Sequence, residues 1–135
     1  MLTVVLNIEP RPAPRPRVTR WGAYNDPRYT AYKELIAKEI KQVMKISKLS
    51  IIKDAISLNL EFHISIPKSY TKKQKQDLIG KFKTSKPDID NYIKGVMDAL
   101  NGVCWIDDAQ VCQITAVKHY SHNGSIKINL SLGSS

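Results

Sequence analysis

Acidic residues are scarce in this sequence, which has 12 Asp and Glu residues against 21 Lys and Arg residues. Apolar runs long enough to cross a membrane are absent, because the apolar stretches are short and alternate with polar residues. The N-terminus also lacks the basic flank and small-residue cleavage site of a signal peptide. We therefore expect one cytoplasmic domain over residues 1–135, with no membrane partner and no small-molecule cofactor.

Cysteine and histidine are rare as well. Cys104 and Cys112 match neither a CxxC motif nor a zinc-ligand spacing. Because we expect a reducing compartment and the neighbouring residues are apolar, the sequence favours buried free thiols over a disulfide. His63 falls on the polar face of a predicted strand, and His119 and His122 have no third ligand nearby. The pattern therefore predicts no zinc site.

The positive charge, formally +9, is concentrated in two segments. Residues 10–20 form a Pro/Arg-rich stretch whose four prolines favour an extended, stiff arm. Residues 68–86 carry seven lysines and one acid. Two basic segments indicate a nucleic-acid footprint, although a solvated surface is the alternative. The predicted DNA contacts are Arg11, Arg15, Arg17, Arg20, Lys68, Lys72, Lys73 and Lys86.

Hydrophobic periodicity predicts an α+β fold. Strands are expected over 2–8, 55–66, 110–121 and 125–132, and helices over 27–46, 72–79 and from Asp90 to Leu100. Asn123-Gly124 is the preferred two-residue turn, so the last two strands are expected to pair as a hairpin. The prediction is a small mixed sheet of about four strands packed on helices, in the order β-α-β-(α)-α-β-β.

Five of the twelve acids lie between Asp88 and Asp108. Pro87 favours extended chain, in which Asp88 and Asp90 share one side, and Asp90 is expected at or near the N-cap of the third helix. Lys94 then lies one helical turn further on. Clustered carboxylates suit Mg²⁺ or Mn²⁺. The alternative is ordinary capping with an Asp90–Lys94 ion pair, and Asp107-Asp108 as a turn.

The run Lys86-Pro87-Asp88-Ile89-Asp90-Asn91, with Lys94, Asp98-Ala99-Leu100-Asn101 and Trp105-Ile106-Asp107-Asp108-Ala109-Gln110, closely resembles the core motif of the RusA family. These are phage- and prophage-encoded Holliday junction resolvases. The first strand, the Pro/Arg-rich arm and the segment from Ile66 to Tyr70 with its following lysines extend the similarity over most of the chain. One detail varies, because Pro87 stands where some members have a basic residue.

The resemblance implies a homodimeric, Mg²⁺-dependent crossover junction endodeoxyribonuclease, with Mn²⁺ as a substitute, acting in recombination and repair in a bacterial host. It implies that Asp88, Asp90 and Asp108 hold the metal and are catalytic with Lys94, and that Asp107 is an accompanying acid. The metal would polarise the scissile phosphate and lower the pKa of a bound water. Lys94 would stabilise charge on the phosphoryl oxygens or orient the nucleophile.

Several alternatives remain open at this level. Instead of a junction resolvase, the chain could be a non-catalytic DNA-binding protein or a metallonuclease for other branched DNA. Asn91 and Gln110 would either bind phosphate or orient metal-bound water, or they would be structural hydrogen-bonding groups. Trp21 and Trp105 are more typical of packing than of base stacking. Asp98 is expected to pair with Lys94 on the helix surface, and the apolar residues of the third helix and around Trp105 are candidates for the dimer surface.

Overall fold

A four-stranded mixed sheet with helices on one face forms the body of the protein in the computed structural model. The structure describes residues 1–14, 17–19, 22–24 and 26–133, and the two short segments at 17–19 and 22–24 by their backbone alone. The elements are β1 (Leu2–Leu6), β2 (Arg17–Thr19), β3 (Gly22–Tyr24), α1 (Pro27–Ile46), β4 (Ile56–Ser65), α2 (Lys72–Leu78), α3 (Ile89–Leu100), β5 (Val111–Ser121) and β6 (Ser125–Leu132). The predicted α+β class is confirmed. Within these ranges no helix is long and apolar enough to cross a bilayer.

The long helix α1 has the bounds that its sequence predicts. The side chain of Asp26 accepts a hydrogen bond from the Arg28 N–H at 2.9 Å, and a proline occupies the first helical turn. Its buried residues recur every four positions and place one stripe against the core: Tyr32, Ile36, Ile40 and Met44.

The predicted hairpin between the last two strands is wrong. The strand order is β1-β6-β4-β5, so β4 lies between β5 and β6, parallel to β5 and antiparallel to β6. Residues 122–124 therefore cross the end of β4 instead of closing a tight turn. Gly124 has a different role there, because a Cβ at this position would overlap the Glu9 carboxylate. That carboxylate accepts a hydrogen bond from the Ser65 hydroxyl at 2.5 Å.

The two faces of the sheet differ in their surroundings. The inward face of β4 is fully apolar and buried, and the ring of Phe62 stacks on Tyr92 of α3 at a centroid distance of 5.3 Å. Helices α1 and α3 pack against each other over this face. The opposite face carries the alternate residues of β4, which are half-buried or exposed; Glu61 and His63 are among the half-buried ones.

The Pro/Arg-rich stretch is docked on the helices over its described part and does not extend as a free arm. Ala13 is buried, and its N–H donates to the Asn91 carbonyl oxygen at 2.9 Å. Further along, β2 and β3 pair in antiparallel register. Three residues of the sequence predictions lie outside the described residues: the expected DNA contacts Arg15 and Arg20, and the expected packing residue Trp21.

Candidate active site

The helix α3 begins two residues earlier than the sequence suggested. Asp88, not Asp90, is the N-cap residue, with extended backbone angles of φ −68° and ψ 148°. The extended conformation of Asp88 after Pro87 is as predicted, but helical geometry starts already at Ile89. Asp90 therefore lies in the first helical turn, near the positive end of the helix dipole.

Neither acid acts as a conventional side-chain cap for the helix. The Asp88 side chain makes no capping hydrogen bond, and one of its carboxylate oxygens lies 2.9 Å from the Lys86 Nζ. Asp90 is exposed and accepts a hydrogen bond from the Asn91 N–H at 3.0 Å. Both carboxylates reach the solvent at the same end of α3, as hard oxygen groups that suit a divalent cation.

Lys94 pairs along the helix with Asp98, which confirms the predicted partner. The Lys94 Nζ lies 3.4 Å from an oxygen of Asp98, whose other oxygen accepts a hydrogen bond from the Tyr29 hydroxyl at 2.6 Å. Burial, together with this hydrogen bond to Asp98, raises the pKa of Tyr29 well above its usual range. Both carboxylate oxygens of Asp98 therefore have a partner. Lys94 itself is exposed and lies one helical turn after Asp90.

Two lysines that the sequence did not single out hold the loop before α3. The Lys118 Nζ donates to the carbonyl oxygens of Ser85 at 2.8 Å and Pro87 at 2.6 Å, and the Lys83 Nζ donates to that of Lys86 at 2.7 Å. Burial, and next the nearby Lys83, lowers the pKa of Lys118. The only sequence signal was a lysine at an inward-facing position of β5, in register with Phe62.

Asp107 and Asp108 form a 3-10 turn ahead of β5, which is the turn that the sequence allowed as an alternative. Asp107 accepts a hydrogen bond from the Ala109 N–H at 2.9 Å, so its side chain caps the turn. The half-buried Asp108 accepts one from the Trp105 indole N–H at 2.8 Å. Trp105 is 0% exposed and is therefore a core residue instead of part of a dimer surface.

Gln110 has a structural role in this conformation. Its side-chain oxygen accepts from the N–H groups of Ile106 and Asp107 at 2.8 and 3.0 Å, and its amide donates to the carbonyl oxygens of Ile52 and Asp54 at 2.9 and 3.1 Å. Its oxygen and both amide hydrogens are therefore used in fixing the turn to the segment before β4.

The predicted metal ligands flank opposite ends of α3. Asp88 caps its start, whereas Asp108 binds Trp105, whose backbone pairs with Asn101 just beyond its end. Twelve helical residues span about 18 Å. Accordingly, among the described residues, Asp88, Asp90 and Asp108 do not form a group of ligand atoms within 4.8 Å of one another. Within one chain the predicted ligands are therefore divided between the two ends of α3.

The predicted DNA contacts whose side chains the structure describes are all exposed. They are Arg11, Lys68, Lys72, Lys73 and Lys86. Lys68 lines a shallow depression of the surface together with Lys75 and His122. Arg17 belongs to β2, where only the backbone is described.

The two cysteines are free, as predicted, but only one of them is buried. Cys104 is 1% exposed, and burial raises the pKa of its thiol to about 12. Cys112 is exposed on β5. The expectation of two buried thiols is therefore wrong for Cys112, because the outer edge of β5 is uncovered at its start.

The chain is thus a basic α+β protein that presents two exposed carboxylates and an exposed lysine at the start of one helix. The family model described as "Endodeoxyribonuclease RusA" matches residues 7–131. This chain therefore belongs to the RusA endodeoxyribonuclease family, as its motif indicated. It is also 36% identical over 83 residues to the "Uncharacterized protein YqaN" of Bacillus subtilis strain 168, and the match spans 58% of each chain.

Proposed function

We propose that this protein is a Mg²⁺-dependent endodeoxyribonuclease that resolves four-way DNA junctions by paired nicks. The observation that carries the proposal is the exposed series Asp88, Asp90 and Lys94 at the start of α3, in a chain that the RusA family model covers almost completely. The surrounding basic surface supplies the phosphate contacts that a DNA substrate requires.

The residue types fit a hard divalent cation. Asp88, Asp90 and Asp108 would hold the ion, and Mn²⁺ would substitute for Mg²⁺. When bound, the metal supplies Lewis-acid polarisation of the phosphate and a water of lowered pKa. Lys94 neutralises charge that develops on the phosphoryl oxygens. Lys86 forms an ion pair with Asp88 in the unbound protein. If a cation took its place at Asp88, Lys86 would be available to contact a DNA phosphate.

The placement of the carboxylates supports a site shared between two chains. Each protomer carries Asp88 and Asp90 at the start of α3 and Asp108 near its end, and we call these two groups half-sites. In a two-fold symmetric dimer with antiparallel α3 helices, each Asp88–Asp90 pair meets the partner's Asp108. Such a dimer carries two equivalent sites, which matches the near two-fold symmetry of a junction.

Cleavage of a synthetic four-way junction tests the activity. We expect the wild-type protein with Mg²⁺ to nick two opposite strands, and Asp90→Asn to lose at least a hundredfold in rate while still binding the junction. Asp77→Asn, an exposed acid of α2, is the matched control and keeps the wild-type rate. An intact junction with the wild-type protein refutes nuclease function. Equal cutting of linear duplex refutes the junction specificity.

A mixed dimer of Asp90→Asn and Asp108→Asn chains, purified through two different tags, tests the shared site. If each site draws on both chains, one site combines both substitutions and the other has all its native acids. The mixed dimer then regains single-strand nicking that neither parent dimer has. If each site lies within one chain, both sites stay defective and no nicking returns, which rejects the shared site and leaves the nuclease assignment standing.

A further inference from the structure

Three metal-binding side chains meet on the open face of the sheet, away from α3. His63 of β4 and His119 of β5 are direct partners in the parallel register, so their side chains project to the same side. Glu61 lies two residues before His63 and therefore on the same face. The sequence did not reveal this group because the pairing of β4 with β5 was not expected.

The geometry of the group is close to that of a bound ion. One ligand atom from each residue lies within 4.8 Å of the others, and the two imidazole rings meet edge to face at a centroid distance of 4.2 Å. Zinc–ligand bonds of about 2.0–2.2 Å place tetrahedral ligands about 3.3–3.5 Å apart. Small rotations of the three half-buried side chains would shorten the distances between their ligand atoms to these values.

The nature of the ligands selects a borderline transition metal over Mg²⁺. Two imidazoles and one carboxylate are a common zinc ligand set, whereas Mg²⁺ prefers oxygen ligands alone. The neighbouring competitor is Lys127 of β6, whose Nζ lies 3.4 Å from a carboxylate oxygen of Glu61. Both members of that ion pair are partly exposed, so it holds Glu61 weakly and a cation can displace it.

We propose that Glu61, His63 and His119 form a Zn²⁺-type metal site on the open face of the sheet. Water would complete the coordination, because the three side chains are only half-buried. The bound ion joins β4 to β5 on the sheet face opposite to α3, so it is separate from the carboxylates proposed for catalysis. This inference does not rest on the proposed nuclease function.

Calorimetric titration of metal-free protein with Zn²⁺ in millimolar Mg²⁺, without DNA, tests the site. We expect one Zn²⁺ per chain and a rise of several degrees in the melting temperature at saturating Zn²⁺, because the ion binds the folded state. His63→Gln and His119→Gln should each weaken binding at least tenfold. Lys127→Gln should strengthen it, because Glu61 loses its competing partner.

The third histidine of the chain provides the matched control. His122→Gln should bind Zn²⁺ with wild-type affinity, because His122 lies in the link after β5 and outside the group. In wild-type protein, Zn²⁺ should shift the imidazole ¹⁵N resonances of His63 and His119 but not those of His122. Absence of binding, wild-type affinity in His119→Gln, or shifts centred on His122 would each overturn the proposal, and the spectroscopic result does not depend on the folding of any variant.

Discussion

The ammonium group of Lys118 donates its hydrogen bonds to backbone carbonyl groups, although five carboxylates lie within thirty residues of it along the chain. Its two hydrogen bonds fix the carbonyl oxygens of Ser85 and Pro87, immediately before Asp88. Lys83 holds the intervening carbonyl of Lys86. The position of the Asp88 carboxylate therefore depends on a strand residue that does not touch the proposed reaction centre, which makes Lys118 a positioning residue.

Replacing Lys118 with methionine should lower both stability and cleavage. Two hydrogen bonds from a charged donor are lost, so we expect a decrease of about 1–3 kcal/mol in the free energy of unfolding. Cleavage should fall at least tenfold with a higher Mg²⁺ requirement, because Asp88 is no longer held at the start of α3. Urea denaturation and Mg²⁺-dependent junction cleavage measure the two effects. Lys41→Met, at an exposed position of α1, should change neither.

At the residue scale the sequence predicted the identity of the candidate acids but not their surroundings. Asp88, Asp90, Lys94 and Asp108 stood out because they form a local motif. The partners of these residues come from distant positions, as with Tyr29 on Asp98, 69 residues away. Such contacts depend on the packing of whole elements, which no spacing within a single segment encodes.

At the element scale, the helix α1 ends in a capping motif with one residue in the left-handed conformation. Ser47 is the C-cap, and Lys48 adopts a left-handed conformation with φ of 55°. The Leu49 N–H then bonds to the Met44 carbonyl oxygen at 2.8 Å, and the Lys48 N–H to that of Lys45 at 3.2 Å. This is the Schellman arrangement, in which glycine is the preferred residue at the position that Lys48 occupies.

Lys48→Gly should therefore stabilise the protein. A left-handed conformation costs a side-chain-bearing residue about 1 kcal/mol relative to glycine. The Lys48 side chain is exposed, so little packing is lost with it. We expect the midpoint of urea unfolding to rise, with an increase of about 0.5–1 kcal/mol in the free energy of unfolding. Lys45→Gly, in the last turn of the same helix, should lower it by about the same amount. Equal shifts in both variants would contradict this account.

The sequence predicted the bounds of those elements whose ends carry local chemical signals, but it did not predict the order of the strands in the sheet. Asp26-Pro27 marked the start of α1, and alternation marked β4 and β6. The Asn123-Gly124 pair wrongly suggested a hairpin, because the same residues also suit a link that crosses another strand. Whether β4 inserts between β5 and β6 is decided by the burial of its apolar face, which is a property of the assembled sheet.

At the scale of the whole molecule, several partly exposed apolar side chains near α3 are candidates for the proposed dimer surface. Trp105 is buried, but its neighbour Ile106 is 56% exposed, and Ile114 of β5 is 39% exposed. On α3, Ile93 and Met97 are half-buried one turn apart. These residues lie along α3, at its end and on the neighbouring strand, where a second copy would have to pack to bring the two half-sites together.

Ile106→Glu should therefore separate the dimer and abolish cleavage. A charge placed in an apolar contact has no partner and loses its hydration, which costs several kcal/mol in the association free energy. Light scattering coupled to size-exclusion chromatography measures the mass, and junction cleavage measures the activity. Ile46→Glu, at a more exposed position at the end of α1, should remain dimeric and active. A wild-type protein that is monomeric at micromolar concentration, yet makes paired nicks, would contradict the shared site.

The position of β4 between two strands that follow it in sequence also governs the order of events during synthesis. The ribosome releases β4 complete with its buried row from Ile56 to Ile64, while β5 and β6 are still untranslated. β1 also has no partner strand in the main sheet until β6 has been synthesised, because β6 is its neighbour. Of the three pairs of neighbouring strands in the main sheet, only β4 and β5 follow one another as strands along the chain. β4 can pair with β5 as soon as residue 121 has left the exit tunnel, but its other edge stays unpaired until β6 follows. An unpaired strand edge beside an apolar row favours aggregation during that interval.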